Sequence, residues 1–492
     1  MPAGRKGALA LLAVTAAALP ILLPGTGQAG VGVRAFGATR PAALAGSWGT
    51  AREVPGMSAL NHSGVAQVNS VSCASPGYCS AGGSYGGNIK QHTYGQPFVV
   101  NEVNGIWHKA IPVPGVVALN TRKNGFISSV SCTRRGDCTA GGRYLGPHGP
   151  RAFVVDEVNG RWRRAITLDV SGLGDVEVSA LACASPGNCS AGGTTSASGT
   201  TPTLGLDGTF VANEVNGRWH KPIAIPGKLT FVYGDWIQSV SCPSAGNCTA
   251  AGWYLDGADQ YQVFVASEVH GTWHHYMKVP GTTPAPGAAG AQVASLSCPE
   301  PGSCTVAGNF IGGAGFLASE VNGTWHNARS VPGLIKLYGP GSGRAQVDVL
   351  SCPAAGICSA GGAGLDAGTV KGFVVNEVNG TWHNAIDVPG MRRLNPSGSG
   401  LVSALSCPAP GNCSAGGRYL GPKWSRSFVV DEVNGIWHNA IEVPGMSALH
   451  RSGTAQVTAL SCARAGECSA GGYYGATSYG LFAGQIFVVN ER

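Results

Sequence analysis

One cassette, written eight times, constrains what this chain can fold into more than any other feature. Its first complete copy opens V-N-S-V-S-C at Val68–Cys73, closes a short loop at Cys79 and continues S-A-G-G. It ends F-V-V-N-E-V-N-G-I-W-H-K-A-I-P-V-P-G over Phe98–Gly115. The leading cysteine recurs at Cys132, Cys183, Cys242, Cys298, Cys352, Cys407 and Cys462, at intervals of 51 to 59 residues. Eight copies therefore occupy nearly all of the 492 residues. Such a period marks units that cannot bury their apolar faces alone and must pack on their neighbours.

Each unit reads as four strands. The first, Val68–Cys73, alternates larger apolar residues with small polar ones. The second begins at Cys79 and carries Ala-Gly-Gly, which suits strands that crowd closely. The third and fourth, Phe98–Val103 and Ile106–Pro112, flank Asn104-Gly105. Asn-Gly between two β-rich runs predicts a tight hairpin, because both turn positions need positive φ. Four strands in some 40 to 50 residues point to a propeller blade or a related radial repeat.

The two ends of the repeat array then fit together. The last cassette stops at Phe487–Arg492, where its turn and fourth strand should follow. Ser47–Gly56 reads as a fourth strand with no third strand before it. One missing strand and one spare strand of the same kind imply a ring, which removes exposed sheet edges. The expected fold is all-β, an eight-bladed β-propeller of four-stranded antiparallel blades closed by strand swapping. Over residues 47–492 the chain resembles secreted bacterial β-propeller repeat proteins that close in this way. That resemblance implies architecture and no particular activity, since propellers host many functions.

Residues 1–29 read as a secretory signal: Arg5 and Lys6, then apolar Ala8–Leu23, then small residues at Gly27-Gln28-Ala29. A membrane anchor fits less well, because the apolar run is short and holds Pro20. Residues 30–46 read as a linker and 47–492 as a single domain. No later segment is apolar enough to span a bilayer, so the expected product is secreted; a monomer is expected. Charged residues are only 12% of the chain and are scattered, and the net charge of +7 forms no basic stripe. A nucleic-acid partner is therefore not expected.

All sixteen cysteines fall in eight C-x5-C pairs: Cys73/Cys79, Cys132/Cys138, Cys183/Cys189, Cys242/Cys248, Cys298/Cys304, Cys352/Cys358, Cys407/Cys413 and Cys462/Cys468. A zinc site wants four ligands, and one pair per blade supplies two. Behind a signal peptide the pairs favour disulfides, each stapling a first hairpin. No metal and no cofactor are expected.

The E-V-N-G-x-W hairpin repeats a glutamate and a tryptophan, such as Glu102 and Trp107. A group needed once for catalysis has no reason to recur in every cassette. The tryptophan is expected to anchor the inter-blade core, and the polar pairs to tie the two outer strands together. Asp156 facing Arg163 would be an ion pair of that kind. The nearest stretch to the S-x-D-x-G-x-x-W box of sialidase-type propellers, Ser319–Trp325, has its glycine and its acid misplaced.

Propeller connections alternate between two ends. The Cys-to-Cys loops and Asn-Gly turns share one end and are uniform; the links from strand two to strand three, and from blade to blade, share the other and vary. Binding sites lie preferentially on variable loops of a rigid scaffold. Three of the eleven tryptophans, Trp236, Trp253 and Trp424, lie outside the repeated anchor, in or beside variable links. Cassette four is the richest, and the candidate ligand-binding residues are Tyr233, Asp235, Trp236, Trp253, Asp256, Asp259, Tyr261 and Trp424. Aromatic faces beside carboxylates suit sugar rings. Tyr254 aligns with Tyr85, Tyr144, Phe310, Tyr419 and Tyr474 and reads as structural.

The reading is thus a secreted binding propeller, with glycans the best-matched ligand. A polysaccharide hydrolase or lyase would need two carboxylates or a metal at the central mouth, where Asp175, Glu177, Asp235 and Asp348 could approach. A scaffold that binds a cell-surface protein is the third class. No Ser-His-Asp, H-E-x-x-H or phosphate-loop signature supports an enzyme.

Overall fold

The computed structural model describes residues 46–62, 65–88, 93–170, 175–196, 208–227, 233–283, 289–339, 345–449, 453–476 and 484–492. The expected signal segment 1–29 and all but the last residue of the linker 30–46 lie outside them.

Eight antiparallel sheets follow the cassette in order. In blade one the inner strand is Ala66–Ser75, the second Tyr78–Asn88 and the third Thr93–Val103. The outer strand comes in two pieces, Ile106–Trp107 and Ile111–Pro112, both paired with the third. At the outer hairpin Asn104 and Gly105 take φ of 52° and 75°, as a tight turn of this hand requires. Gly105 N–H donates to Gly77 O at 2.9 Å, so the Cys loop and the Asn-Gly turn do share one end of the blade.

All eight expected disulfides form. Cys73 bonds Cys79, Cys132 bonds Cys138, Cys183 bonds Cys189 and Cys242 bonds Cys248. Cys298 bonds Cys304, Cys352 bonds Cys358, Cys407 bonds Cys413 and Cys462 bonds Cys468. Each bond staples a first hairpin as expected, as Cys73 opposite Cys79 shows, and also enters the packing between blades. The second cysteine of each pair, Cys79, Cys138, Cys189, Cys248, Cys304, Cys358, Cys413 and Cys468, is only 2 to 6% exposed. Its sulfur is buried because the second strand turns that side chain toward the preceding blade. Cys79 Sγ lies 3.3 Å from Ser469 Oγ, Cys138 Sγ 3.3 Å from Ser80 Oγ, Cys189 Sγ 3.5 Å from Thr139 Oγ1 and Cys248 Sγ 3.2 Å from Ser190 Oγ. These cysteines are therefore part of the inter-blade packing as well as loop closures.

The ring closes as expected. Trp48 bridges Glu491, and Arg52 and Glu53 pair with Val488 and Phe487, so the leading strand supplies the outer edge of blade eight. Ser47 and Arg492 exchange backbone hydrogen bonds at 2.8 and 3.1 Å.

The core repeats with the sequence. One phenylalanine per third strand, from Phe98 to Phe487, is fully buried, each contributing about 1.5–3 kcal/mol of apolar burial. The Gly-Gly pair makes room for this. A Cβ on Gly83 would lie 1.8 Å from Gln67 O and against the Phe98 ring, and one on Gly82 would lie 2.7 Å from Ile127 of the next blade. Among the described residues four single-turn helices interrupt the blade-to-blade links, and Met57, Leu334, Met391 and Met446 fasten them to the core.

Two sets of polar contacts recur between successive blades. On the inner strands one residue per blade is bulged out of register, as Asn69 is between Val68 and Ser70. Its side chain donates to a carbonyl of the following blade: Asn69 to Ile127 O at 2.7 Å, Ser128 to Val178 O at 2.6 Å, Ser403 to Val457 O at 2.7 Å and Thr458 to Val68 O at 2.6 Å. Blade five has Ala294 there, and Asn309 of its second strand donates to Val347 O instead, at 3.0 Å. Blade six has Asp348, whose carboxyl burial raises to about 7.

The second set corrects the expectation for the E-V-N-G-x-W hairpin. The side chain before the glutamate does not tie the two outer strands; it accepts from a hydroxyl on the second strand of its own blade, as Asn101 does from Ser80 at 3.1 Å, and reaches the next blade. Asn101 accepts from Trp162 Nε1 at 2.8 Å and donates to Glu157. Asn213 serves Trp273 and Glu268 in the same way, Asn376 serves Trp437 and Glu432, and Asn490 serves Trp107 and Glu102. Asp156 likewise faces Trp219, at 3.3 Å, and Thr139, at 2.9 Å, and its carboxylate makes no ion pair with Arg163. The spacing fixed which residues oppose each other within a hairpin, whereas the side chains are satisfied across the blade interface.

Candidate functional site

The variable end of blade four is built on its inner strand Tyr233–Ser244, second strand Asn247–Leu255 and third strand Tyr261–Val269. Trp236 pairs directly with Trp253, so both project from one face of the sheet. Trp253 in turn pairs with Val263, and Tyr261, two residues before it, shares that face. The Trp253 and Tyr261 rings meet edge to face, with centroids 5.2 Å apart and planes at 71°. All three aromatics are half-buried. They form a ladder three strands wide.

The ladder lies at the seam with blade five. Ala251 and Val263, on its face, pack with Ala291, Val293 and Val306 of blade five. Tyr261 N–H donates to Ala289 O at 2.9 Å, which holds the link between the two blades beside the rings. Tyr254 points the other way, buried against Phe264 and Tyr276, so its structural reading holds.

Asp256 and Asp259 sit in the turn beyond the ladder. Asp256 accepts from Ala258 N–H at 2.9 Å, Gln260 N–H at 3.1 Å and Gln262 Nε2 at 2.7 Å. Burial is the largest single influence and pushes its carboxyl up, but the three donors and the Lys278 charge together outweigh it and hold the carboxyl below the ordinary value. Asp259 is exposed and left-handed, with φ of 56°. Asp256 thus shapes the turn, and Asp259 is the carboxylate it presents to solvent.

The other candidates are not brought to this place. Asp235 is 3% exposed and points toward blade three, where a Cβ on Gly208 would lie 1.8 Å from its Oδ2. Neighbours on a strand face opposite ways, so a carboxylate adjacent to Trp236 cannot join the Trp236 face. Trp424 is 41% exposed but belongs to blade seven, in the loop before Ser425–Val433. Tyr233 pairs through its backbone with Leu255, and its side chain lies outside the described part.

A second aromatic group on the variable end went unread in the sequence. Tyr94 meets Phe126 edge to face at 4.9 Å across the seam of blades one and two, with the Arg143 guanidinium 5.0 Å from the Phe126 ring. Arg143 also pairs with Glu177 of blade three at 3.1 Å. An aromatic inside a variable link, with no counterpart in other cassettes, was the available signal. Of the acids near the mouth, Glu177 is thereby neutralised, Asp235 is buried and Asp348 stands in blade six. The side chain of Asp175 lies outside the described part. Among the described residues no three His, Cys, Asp or Glu side chains gather to hold a metal ion, and no helix is long and apolar enough to cross a membrane.

No family model matches the chain, and no curated protein does. Solved structures do. A GH74 xyloglucanase from Xanthomonas campestris is 12% identical, with a TM-score of 0.47 over 89% of this chain and 63% of that one. A Hadza microbial sialidase is 13% identical, with a TM-score of 0.37 over 64% of this chain and 65% of that one. A PL25 ulvan lyase is 11% identical, with a TM-score of 0.39 over 73% and 90%. This chain thus spans less than two thirds of the sialidase and of the xyloglucanase. Likenesses this distant carry nothing about activity, and the propeller rests on the strand pairing of the chain itself.

Proposed function

We propose that this protein is a secreted propeller that binds glycans at the seam of blades four and five, on the variable end of the ring. Residues 1–29 are its export signal, 30–46 a linker and 47–492 the binding domain. The observation that carries the reading is the Trp236–Trp253–Tyr261 ladder, three partly accessible rings across adjacent strands. Aromatic walls with a few placed polar groups are the usual make-up of a small-ligand site. Sugar C–H faces stack on such rings, and Asp259 stands where it can accept from hydroxyls. Eight disulfides suit an oxidising compartment outside the cell.

The test is a glycan-array screen of the mature protein beside a Trp236→Ala, Trp253→Ala double variant. Binding that disappears in the double variant, with its melting temperature retained, supports the site. Binding that survives removes the ladder from the reading. Absence of any glycan binding, with stoichiometric capture of a cell-surface protein instead, replaces it with a scaffold.

A further inference from the structure

Beyond the variable end, the uniform end holds a cavity that the repeat itself explains. At four of the eight blade junctions an asparagine carboxamide fills the interface, its Oδ1 accepting from an indole N–H and its Nδ2 donating to a glutamate. Three of those junctions leave notches of about 220 to 240 Å³. Blades four and five carry Ser267 and Ser319 at that position, their hydroxyls 3.5 Å from Thr249 Oγ1 and 3.2 Å from Thr305 Oγ1 of their own blades. At the junction between blades five and six the space widens to about 590 Å³, lined by Ser319, Glu377 and Trp382. That volume is within the ~300–1,000 Å³ typical of small-ligand sites.

The vacated carboxamide leaves its partners unmet. Trp382 Nε1 and Glu377 Oε2 are buried without a hydrogen-bond partner, and Glu377 is only 3% exposed. Such groups are costly to leave unpaired, so this is where a ligand gains most by supplying the missing atoms. The missing pattern is an acceptor for the indole next to a donor for the carboxylate, which is the pattern of a secondary or primary amide. The space far exceeds a bare amide, and His326, Asn327 and Arg329 line it farther out, where hydroxyls would find partners.

We propose that the cavity between blades five and six binds the acetamido group of an N-acetylated sugar, Trp382 Nε1–H donating to its carbonyl and Glu377 accepting from its N–H. In keeping with a carboxyl that lacks donors, burial raises Glu377 to about 7.

The experiment is calorimetric titration with the methyl glycosides of N-acetylglucosamine and of glucose, against wild type, Ser319→Asn and Trp382→Phe. Ser319→Asn rebuilds the junction that four other blades already use, so it is expected to fold, and its melting curve checks this. The expected result is saturable binding of the acetylated glycoside, at least about tenfold stronger than the glucoside, because a site built around a polar group rejects analogues lacking it. Ser319→Asn and Trp382→Phe should each weaken it at least about tenfold, while the Trp236→Ala, Trp253→Ala variant keeps it. Equal affinity for both glycosides, undiminished binding by Ser319→Asn, or no binding by wild type would each overturn the proposal. Loss of binding only in the Trp236, Trp253 variant would transfer the ligand to the variable end.

Discussion

Trp48 Nε1 donates to Asp431 Oδ2 at 3.0 Å, joining residues 383 positions apart and sealing blade eight to blade seven. The indole is 7% exposed and packs with Val429, Val443 and Met446. Trp48→Ala should cost about 3–5 kcal/mol, the range for a buried tryptophan emptied of its ring. Trp48→Phe should cost about 1–3 kcal/mol, chiefly for leaving a buried carboxylate short of a donor. Thermal denaturation of both variants measures the difference, and an unchanged midpoint would mean the leading strand does not hold the ring shut.

Two junctions carry an aspartate where four have asparagine and two have serine. Glu214 is raised to about 7 by burial and by Asp156 nearby, and Glu491 to about 8 by burial and by Asp431. Folded-state values above the unfolded value of 4.5 mean the folded protein holds these protons more tightly. Their stabilising effect is full below pH 4.5 and is lost as pH rises through about 7 to 8. The melting temperature should therefore fall between pH 5 and pH 8.5. Asp156→Asn, which restores an amide donor to Glu214, should raise it at pH 8.5 and flatten the slope.

Asp348 tests the inner ring. Its neighbours donate from neutral side chains, whereas an ionised carboxylate cannot donate. With its folded value near 7 against 3.8, the cost appears as pH rises between those values. Asp348→Ser should raise the melting temperature by about 2 °C or more at pH 8, following the usual conversion of about 1 kcal/mol in a large domain, and change it little at pH 4. An equal gain at both pH values would place the cost of Asp348 in packing rather than charge.

Titration with a thiol reagent under native and denaturing conditions, without reductant, should find no free cysteine. Replacing Cys73 and Cys79 together by alanine should cost about 2 kcal/mol, the chain-entropy value for so short a loop. A loss much larger would show that the buried Cys79 sulfur, packed against Ser469 of blade eight, matters more than the loop it closes.

The ring was legible because its evidence is periodic and local: Asn104-Gly105 fixes a turn, Cys73 and Cys79 fix a register, and Ser47–Gly56 is spare where Phe487–Arg492 is short. The cysteine pairing was legible for the same reason, but the burial of Cys138, Cys189 and Cys248 against the preceding blade was not, since a C-x5-C spacing describes one hairpin alone. The ladder was half legible. The chemistry of Trp236, Trp253 and Tyr261 shows in the sequence, while the opposite facing of Asp235 follows only from strand alternation. The cavity at Ser319 was hidden for a different reason. Which partner Asn101 satisfies depends on how two blades face each other, and an in-strand pattern holds no record of that distance. Only when Asn101 is seen reaching Trp162 and Glu157 does serine at the same place become a gap.

Each junction has a direction, with the Asn, Asp or Ser edge of one blade meeting the indole and carboxylate edge of the next. Any arc of blades therefore ends in two unlike edges that match one another, and Ser47 and Arg492 already touch. Joining those ends and reopening the polypeptide between any two other blades should give permutants with the same set of interfaces. The position of the break is thus a matter of chain order, free to move around the circle without altering what the circle binds.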